Sequence, residues 1–311
     1  MKTALLLIGF NRVDYFDQTL TSLEANPEAH QCDLHIYLDG GPKANQAALK
    51  QRIDSSTFEG ITVVARDENW GIGRHLIDAR RTLFDEKEYD RVILFEDDMV
   101  LAPSYVGTVL NIMDWSSTYN DVGTVMAYTI NKDDPTEQAQ QVNEVIATNR
   151  HFWGYGMSKQ VWDDIKDTLY SFEKRYLTGV SYGQRAHRSI RWRFIRAMAK
   201  LGQVHKEGTP LLPASVRSAP FSSMPFGCPT SQDAITALAL WRHGYGRITT
   251  RVSRARYVGQ QGFSFSPEVF EKMGFGDQNT LDLSILTDPP TSFTLAVEDA
   301  NGAPLKPPKY E

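Results

Sequence analysis

Arg91-Val92-Ile93-Leu94-Phe95-Glu96-Asp97-Asp98 is the stretch from which the fold is read. Val92 to Phe95 is unbroken apolar sequence, as expected of a strand buried on both faces, and it runs directly into three adjacent acids. Ala4 to Ile8, Leu34 to Leu38 and Ile61 to Val64 repeat the strand pattern upstream. Asp14 to Leu23, Ala44 to Ile53 and Arg74 to Phe84 carry apolar residues at helical spacing between them. Strands that alternate with helices predict an α/β protein with a mostly parallel, doubly wound sheet flanked by helices. Ligands of such sheets bind at the carboxyl ends of the strands. Four features then share one edge: Asn11-Arg12, Asp39, the segment Asn69 to Arg74, and the acidic triplet. Asp39-Gly40-Gly41-Pro42 is itself a strong turn signal after the second strand.

Bulk properties narrow the class. The chain has 311 residues, 41% of them hydrophobic, enough for one sizeable core or two modest ones. Its formal net charge of -5 argues against a general nucleic-acid binder, which would be basic overall. No run approaches the roughly 18 apolar residues that span a bilayer. The opening Met1 to Ile8 imitates a signal peptide, but it stops at Gly9-Phe10-Asn11-Arg12 without a small-residue cleavage site, so it reads as the first strand. Cys32 and Cys228 are far apart and near no metal-ligand pattern, which points to a reducing compartment and a cytoplasmic protein. No internal repeat is found.

Beyond residue 120 the alternation blurs. Val122 to Tyr128 reads as a strand, and His151-Phe152-Trp153-Gly154-Tyr155-Gly156 as an aromatic, glycine-rich loop. Val161 to Leu169 and Ser231 to His243 read as helices, the second ended by Gly244. Phe293 to Val297 resembles a short strand. Pro304-Leu305-Lys306-Pro307-Pro308-Lys309 reads as an extended peptide or linker.

Carboxylates just past a buried strand are rigidly held where the sheet opens to a ligand. They suit a divalent cation, which takes oxygen ligands and neutralises a departing diphosphate. The plain alternative is a turn of solvated acids. Against it, three adjacent acids repel one another, and apolar residues flank them on both sides.

Phe95-Glu96-Asp97-Asp98 followed by Met99-Val100-Leu101-Ala102-Pro103-Ser104-Tyr105 resembles the Glu-Asp-Asp segment of GT-A-fold glycosyltransferases. The nearest types are the N-acetylglucosaminyltransferase I group and bacterial sugar transferases of polysaccharide synthesis. Glu68-Asn69-Trp70-Gly71-Ile72-Gly73-Arg74 is similar to their Asn-Leu-Gly segment. Phe152 to Met157, Ser231-Gln232-Asp233-Ala234 and Tyr257-Val258-Gly259-Gln260-Gln261-Gly262 continue the resemblance, which covers most of residues 3 to 265. It implies a GT-A (Rossmann-like) sheet, with a nucleotide-sugar-binding half at 1–130 and an acceptor-binding half at 131–265. Residues 266–311 remain as a C-terminal extension or linker.

The resemblance also implies roles. Asp98 would bind Mn2+ or Mg2+ directly, Asp97 would meet the ribose or a metal-bound water, and Glu96 would support the site. Asp39 matches the acid that contacts the nucleotide base. Asn11 and Arg12 would lie near the nucleotide, with Arg12 on the diphosphate unless it is a surface arginine at a strand–helix junction. Asn69, Gly71 and Gly73 belong to the same donor site. Relatives often carry a histidine after the last shared strand. Here Gly262-Phe263-Ser264-Phe265-Ser266 has none, so either the metal keeps one protein ligand or metal dependence is weak.

An inverting transferase needs a carboxylate to accept the acceptor's hydroxyl proton. Asp233 is the candidate: it follows the Pro229-Thr230 turn, lies in the first turn of a predicted helix, and matches the acid that starts the corresponding helix in the family. Acids are also favoured there by the helix dipole whatever their function. Asp163-Asp164 is the rival pair, inside a helical pattern. Trp153, Gly154 and Tyr155 suit the floor of a sugar pocket or, equally, core packing beneath a turn.

From Lys174 to Lys206 no acid occurs, while Lys174, Arg175, Arg185, Arg188, Arg191, Arg193, Arg196, Lys200 and Lys206 do. As a helix, the stretch puts Ile190, Phe194, Met198 and Leu201 on one face and Arg185, Arg193, Arg196 and Lys200 on the other. The preferred reading is a helix packed on the protein with a solvated basic face. The other is peripheral contact of 185–201 with an anionic inner-membrane surface, which would suit a lipid-linked glycan acceptor.

Taken together, the expected function is transfer of a sugar, from a UDP-sugar by preference, to a glycan or glycolipid hydroxyl in bacterial surface polysaccharide synthesis. The first alternative is a nucleotidyltransferase, for which Gly9-Phe10-Asn11-Arg12 is a poor phosphate loop. The second is a non-catalytic module that binds nucleotide sugar or glycan. No nucleic-acid partner is expected.

Overall fold

The computed structural model of the chain describes residues 1–148, 152–180, 184–204, 206–214, 232–262 and 266–297. His151, Cys228, the Pro229-Thr230 turn, Ser231, Phe263 to Phe265 and the proline-rich tail lie outside the described residues.

The predicted alternation is present in the first half: β1 (Thr3–Gly9), α1 (Val13–Glu24), β2 (Asp33–Leu38), α2 (Gln46–Asp54), β3 (Thr62–Ala65), α3 (Gly71–Arg81) and β4 (Arg91–Phe95). The helix expected to reach Phe84 is regular only to Arg81 and continues as a wider π-turn through Thr82–Glu86. Next come β5 (Met99–Leu101), α4 (Tyr105–Ser116), β6 (Val122–Met126), α5 (Pro135–Gln140), β7 (Glu144–Ala147) and β8 (Tyr155–Ser158). The chain continues with α6 (Lys159–Phe172), α7 (His187–Leu201), α8 (Gln232–Arg242), β9 (Gly246–Thr250), β10 (Ala255–Tyr257), α9 (Pro267–Lys272) and β11 (Thr294–Leu295).

Nine strands form one mixed, mostly parallel sheet in the order β11-β7-β9-β6-β8-β4-β1-β2-β3. β3, β2, β1 and β4 are parallel, and β8 enters antiparallel to both β4 and β6. Alternation along the inner strands feeds two cores. Leu5, Leu7, Ile93 and Phe95 pack with α1 and α4 on one face, while Ala4, Leu6, Val92 and Leu94 pack with α3, α6 and α8 on the other. Both faces are therefore covered, which is why these strands read as continuous apolar runs.

A second, two-stranded sheet pairs β5 antiparallel with β10, setting Met99 opposite Tyr257. It is small, but it brings the segment after β4 against a segment about 160 residues later in the chain. Residues 266–297 pack onto the same body: β11 adds to β7 at the sheet edge, and Phe270, Phe275 and Phe293 join the core.

Candidate active site

The acidic triplet leaves the carboxyl end of β4, as read from the sequence. Asp97 and Asp98 are buried, at 5% and 3% exposure, and Glu96 is half-buried. Arg12, from the end of β1, reaches both: its Nη2 lies 2.8 Å from Asp98 Oδ2 and also pairs with Asp97 Oδ1. Its Nη1 donates to the carbonyl of Gln261 at 3.3 Å. Backbone pairing closes the ring, with the Val258 N–H on the Asp98 carbonyl at 2.9 Å.

Tyr257 completes this corner. Its hydroxyl hydrogen-bonds Asp98, and burial together with the Asp98 charge holds its pKa well above the ordinary phenol value. Gly259 sits so close that a Cβ there would come within 2.7 Å of Asp98 Oδ2. Gln278, from the last segment, fixes Tyr257 from behind. Its Nε2 donates to the Tyr257 carbonyl at 2.8 Å, and its Oε1 accepts from the Tyr257 N–H and the Tyr128 hydroxyl, both at 2.9 Å.

Charge concentration perturbs the acids. Burial pushes Asp97 up to about 6 even though Arg12 opposes it, and burial raises Asp98 against the same cation. Glu96 is held well above the carboxylate range by burial and by the charges of Asp233 and Asp98. Asp233, in the first turn of α8, is pushed up to about 6 by burial, with Arg247 and Arg80 opposing and Asp98 adding. The structure thus gathers Arg12, Glu96, Asp97, Asp98 and Asp233 in one electrostatically coupled site. Such clusters of shifted groups in a ligand-binding position are functional-site candidates.

Asp39 lies at the neighbouring strand end with its carboxylate already engaged. Oδ1 accepts from the N–H groups of Gly40 and Trp70, both at 2.9 Å, and Oδ2 from Gly71 at 3.0 Å. It therefore anchors the N-terminus of α3, the segment of Asn69, Gly71 and Gly73. Asn11 and Asn69 are exposed. Trp70 itself lies between two guanidinium groups, Arg66 at 4.2 Å and Arg74 at 3.7 Å from its ring centre.

The three residues read as a sugar-pocket floor are buried. Trp153 stacks on Tyr257 with ring centres 4.0 Å apart and planes 6° from parallel, enclosed by Tyr128 and Phe275. Gly154 takes φ +62°, and a Cβ there would run into the Tyr105 hydroxyl, so only glycine fits the turn. The Tyr155 hydroxyl accepts from Arg80 Nη1 at 2.9 Å.

Arg80 and Arg247 carry no sequence signal of their own. Arg80 is 1% exposed and ties Tyr155 to Thr236 of α8 at 3.2 Å; Arg247 lies over the Phe152 ring at 4.1 Å. The rival acids face elsewhere: Asp163 binds Lys159 and Lys166, and Asp164 binds Lys206 and the Tyr245 hydroxyl.

No family model matches the chain. It is similar to an alpha-1,3-mannosyl-glycoprotein 2-beta-N-acetylglucosaminyltransferase of Arabidopsis thaliana, 27% identical over 180 residues. That match covers 52% of this chain and 38% of the relative, so the chain spans well under half of the relative's length. The relative belongs to the group the motifs resemble. Among solved structures, TarS of S. aureus aligns with TM-score 0.44 and 11% identity over 67% of each chain. A mannosyltransferase from Pyrobaculum calidifontis in complex with GDP-Man and Mn2+ aligns with TM-score 0.38 and 13% identity, over 67% of this chain and 54% of that one. The Arabidopsis and Pyrobaculum proteins are both named as sugar transferases.

Proposed function

We propose that the protein is an inverting, metal-dependent glycosyltransferase that moves a sugar from a nucleotide-sugar donor, a UDP-sugar by preference, to a hydroxyl of a glycan or glycolipid acceptor. A place in bacterial surface polysaccharide synthesis fits that chemistry. One observation carries the reading: a second acid, Asp233, faces a triplet whose last carboxylate keeps a free buried oxygen.

That oxygen, Asp98 Oδ1, has no hydrogen-bond partner. A buried carboxylate oxygen left open is a fitting donor for a hard divalent cation, which fills its remaining positions with water and phosphate oxygens. Among the described residues no three His, Cys, Asp or Glu side chains converge as a ready-made cage. Asp98 is therefore the residue that would hold Mn2+ or Mg2+, and the cation would neutralise the departing nucleoside diphosphate.

The chain's own residues supply the rest. Asp233 accepts the acceptor hydroxyl proton as that oxygen attacks the anomeric carbon. With its pKa pushed up to about 6 it is a stronger base than an ordinary carboxylate, yet it is ionised at neutral pH. Arg247 and Arg80 favour that ionised form, and Glu96, held toward its protonated state, removes one competing charge. Arg12 keeps Asp97 and Asp98 in place and presents a cation at the strand end where a diphosphate docks. Asp39 orders the turn at Trp70 and Gly71 against which the nucleotide would lie.

Nucleotide release from a panel of nucleotide sugars, with and without Mn2+, tests the reading. Turnover with a UDP-sugar that depends on the metal is expected; intact donor binding with no turnover of any donor would overturn it.

A further inference from the structure

Helix α7 has a clearly divided surface. Ile190 and Ile195 turn inward to the core shared with α8, on which α7 packs. The opposite arc carries Trp192, Arg193, Arg196 and Lys200, all exposed, and Arg188 in the first turn is exposed as well. Arg185, expected on this basic face, is instead buried: it precedes the helix and donates to the carbonyls of Trp70, Leu177 and Val180. Its carbonyl partners explain the difference, since a guanidinium can be buried when its donors are met.

Trp192 is 62% exposed, Leu201 at the end of the helix 56%, and Val204 just beyond it 44%. With Val180 before the helix, they make four of the ten exposed large hydrophobic residues among those described, within one short segment. No acid occurs between Lys174 and Lys206 in the sequence; the acids nearest α7 on the adjoining helix, Asp164 and Asp167, line the groove on the side of Ala197 and Leu201. A solvated basic face alone needs no exposed tryptophan. Basic side chains beside outward aromatic and aliphatic ones match a membrane interface, where cations meet lipid phosphates and amphipathic rings sit at headgroup depth.

We propose that the α7 face, Arg188, Trp192, Arg193, Arg196 and Lys200, docks the protein on an anionic phospholipid surface. The charge selects anionic over neutral headgroups, and the exposed indole of Trp192 distinguishes lipid from a soluble polyanion. No helix among the described residues is long and apolar enough to cross a membrane, so the contact is peripheral. α7 rests on α8, whose first turn holds Asp233, so the docked face lies one helix away from that acid.

Co-sedimentation of the full chain with vesicles tests this, using phosphatidylcholine alone and phosphatidylcholine mixed with phosphatidylglycerol. Binding is expected only to the mixed vesicles and should weaken as salt rises. The triple variant Arg193→Gln, Arg196→Gln, Lys200→Gln should lose about a hundredfold in partitioning, at roughly fivefold per cation. Trp192→Ala should lose about tenfold. All are exposed, so thermal unfolding should match the wild type. Equal binding to both vesicles, no binding at low salt, or an unaffected triple variant would overturn the assignment. Retention on polyphosphate without vesicle binding would overturn it in favour of a soluble polyanion. Vesicle binding is read without any donor present, so its outcome is separate from that of the turnover assay.

Discussion

Arg12 Nη2 lies 2.8 Å from Asp98 Oδ2, so the end of β1 supplies the counter-charge for the acid at the end of β4. Two buried acids depend on that one guanidinium. Arg12→Met should destabilise the fold by about 1–3 kcal/mol at pH 7.5, less than a fully buried pair because Arg12 is partly exposed. The loss should shrink at pH 5. Without the cation, burial raises the folded-state pKa of both acids further. The folded protein then keeps protons that the unfolded chain releases, and its stability falls as pH rises from about 4 through the folded values. Urea melts of both proteins at the two pH values check the sign.

Asp98→Asn removes the charge while keeping the shape. Stimulation by Mn2+ should fall at least about tenfold, and Mn2+ binding in the presence of nucleotide, followed by electron paramagnetic resonance, should weaken in parallel. Unchanged binding would place the metal elsewhere.

Asp233 gives a pH signature with two opposite signs. Activity of the wild type should rise with pH through about 6, as the base loses its proton. Asp233→Asn should lower kcat by about a hundred- to ten-thousandfold with little change in donor affinity. The same variant should be more stable at pH 7 by on the order of 1–2 kcal/mol, because a raised carboxyl pKa marks an ionised group that costs stability above it. Rate profiles and thermal melts measure the two effects separately.

Gly259→Ala forces a methyl group against the Tyr257 hydroxyl and Asp98 Oδ2. Asp98 must shift, so metal stimulation should drop while Asp233 keeps its surroundings. Retained acid-limb pH dependence with reduced metal response is the expected pattern, read from rate profiles over a Mn2+ titration.

The parallel half of the sheet was readable because its strands are covered on both faces and so appear as apolar runs. That alone placed Arg12, Asp39 and the triplet on one edge. Other features left no local trace. β5 and β10 are three-residue strands whose pairing sets Tyr257 beside Asp98, and no periodicity reports a contact so distant along the chain. Arg80 looks like any charge on an amphipathic helix, yet it is buried between Tyr155 and Thr236. Trp153 reads equally as pocket or core in the sequence, and the structure packs it in the interior, stacked on Tyr257, the ring beside Asp98. Arg185 departs from its sequence pattern for the opposite reason: its charge suggests solvent, while the carbonyls of Trp70, Leu177 and Val180 accept its hydrogen bonds in the interior.

Gln278 reaches Tyr257 through both its amide oxygen and its amide nitrogen. The segment after residue 265 thereby acts as a clasp on the corner of Asp98 and Tyr257. A protein engineer who trimmed the chain after residue 265, or grafted a different tail there, would unfasten Tyr257 and with it Asp98, the acid proposed to hold the metal. Swappable parts of this protein should be sought on the exposed helices, not at that join.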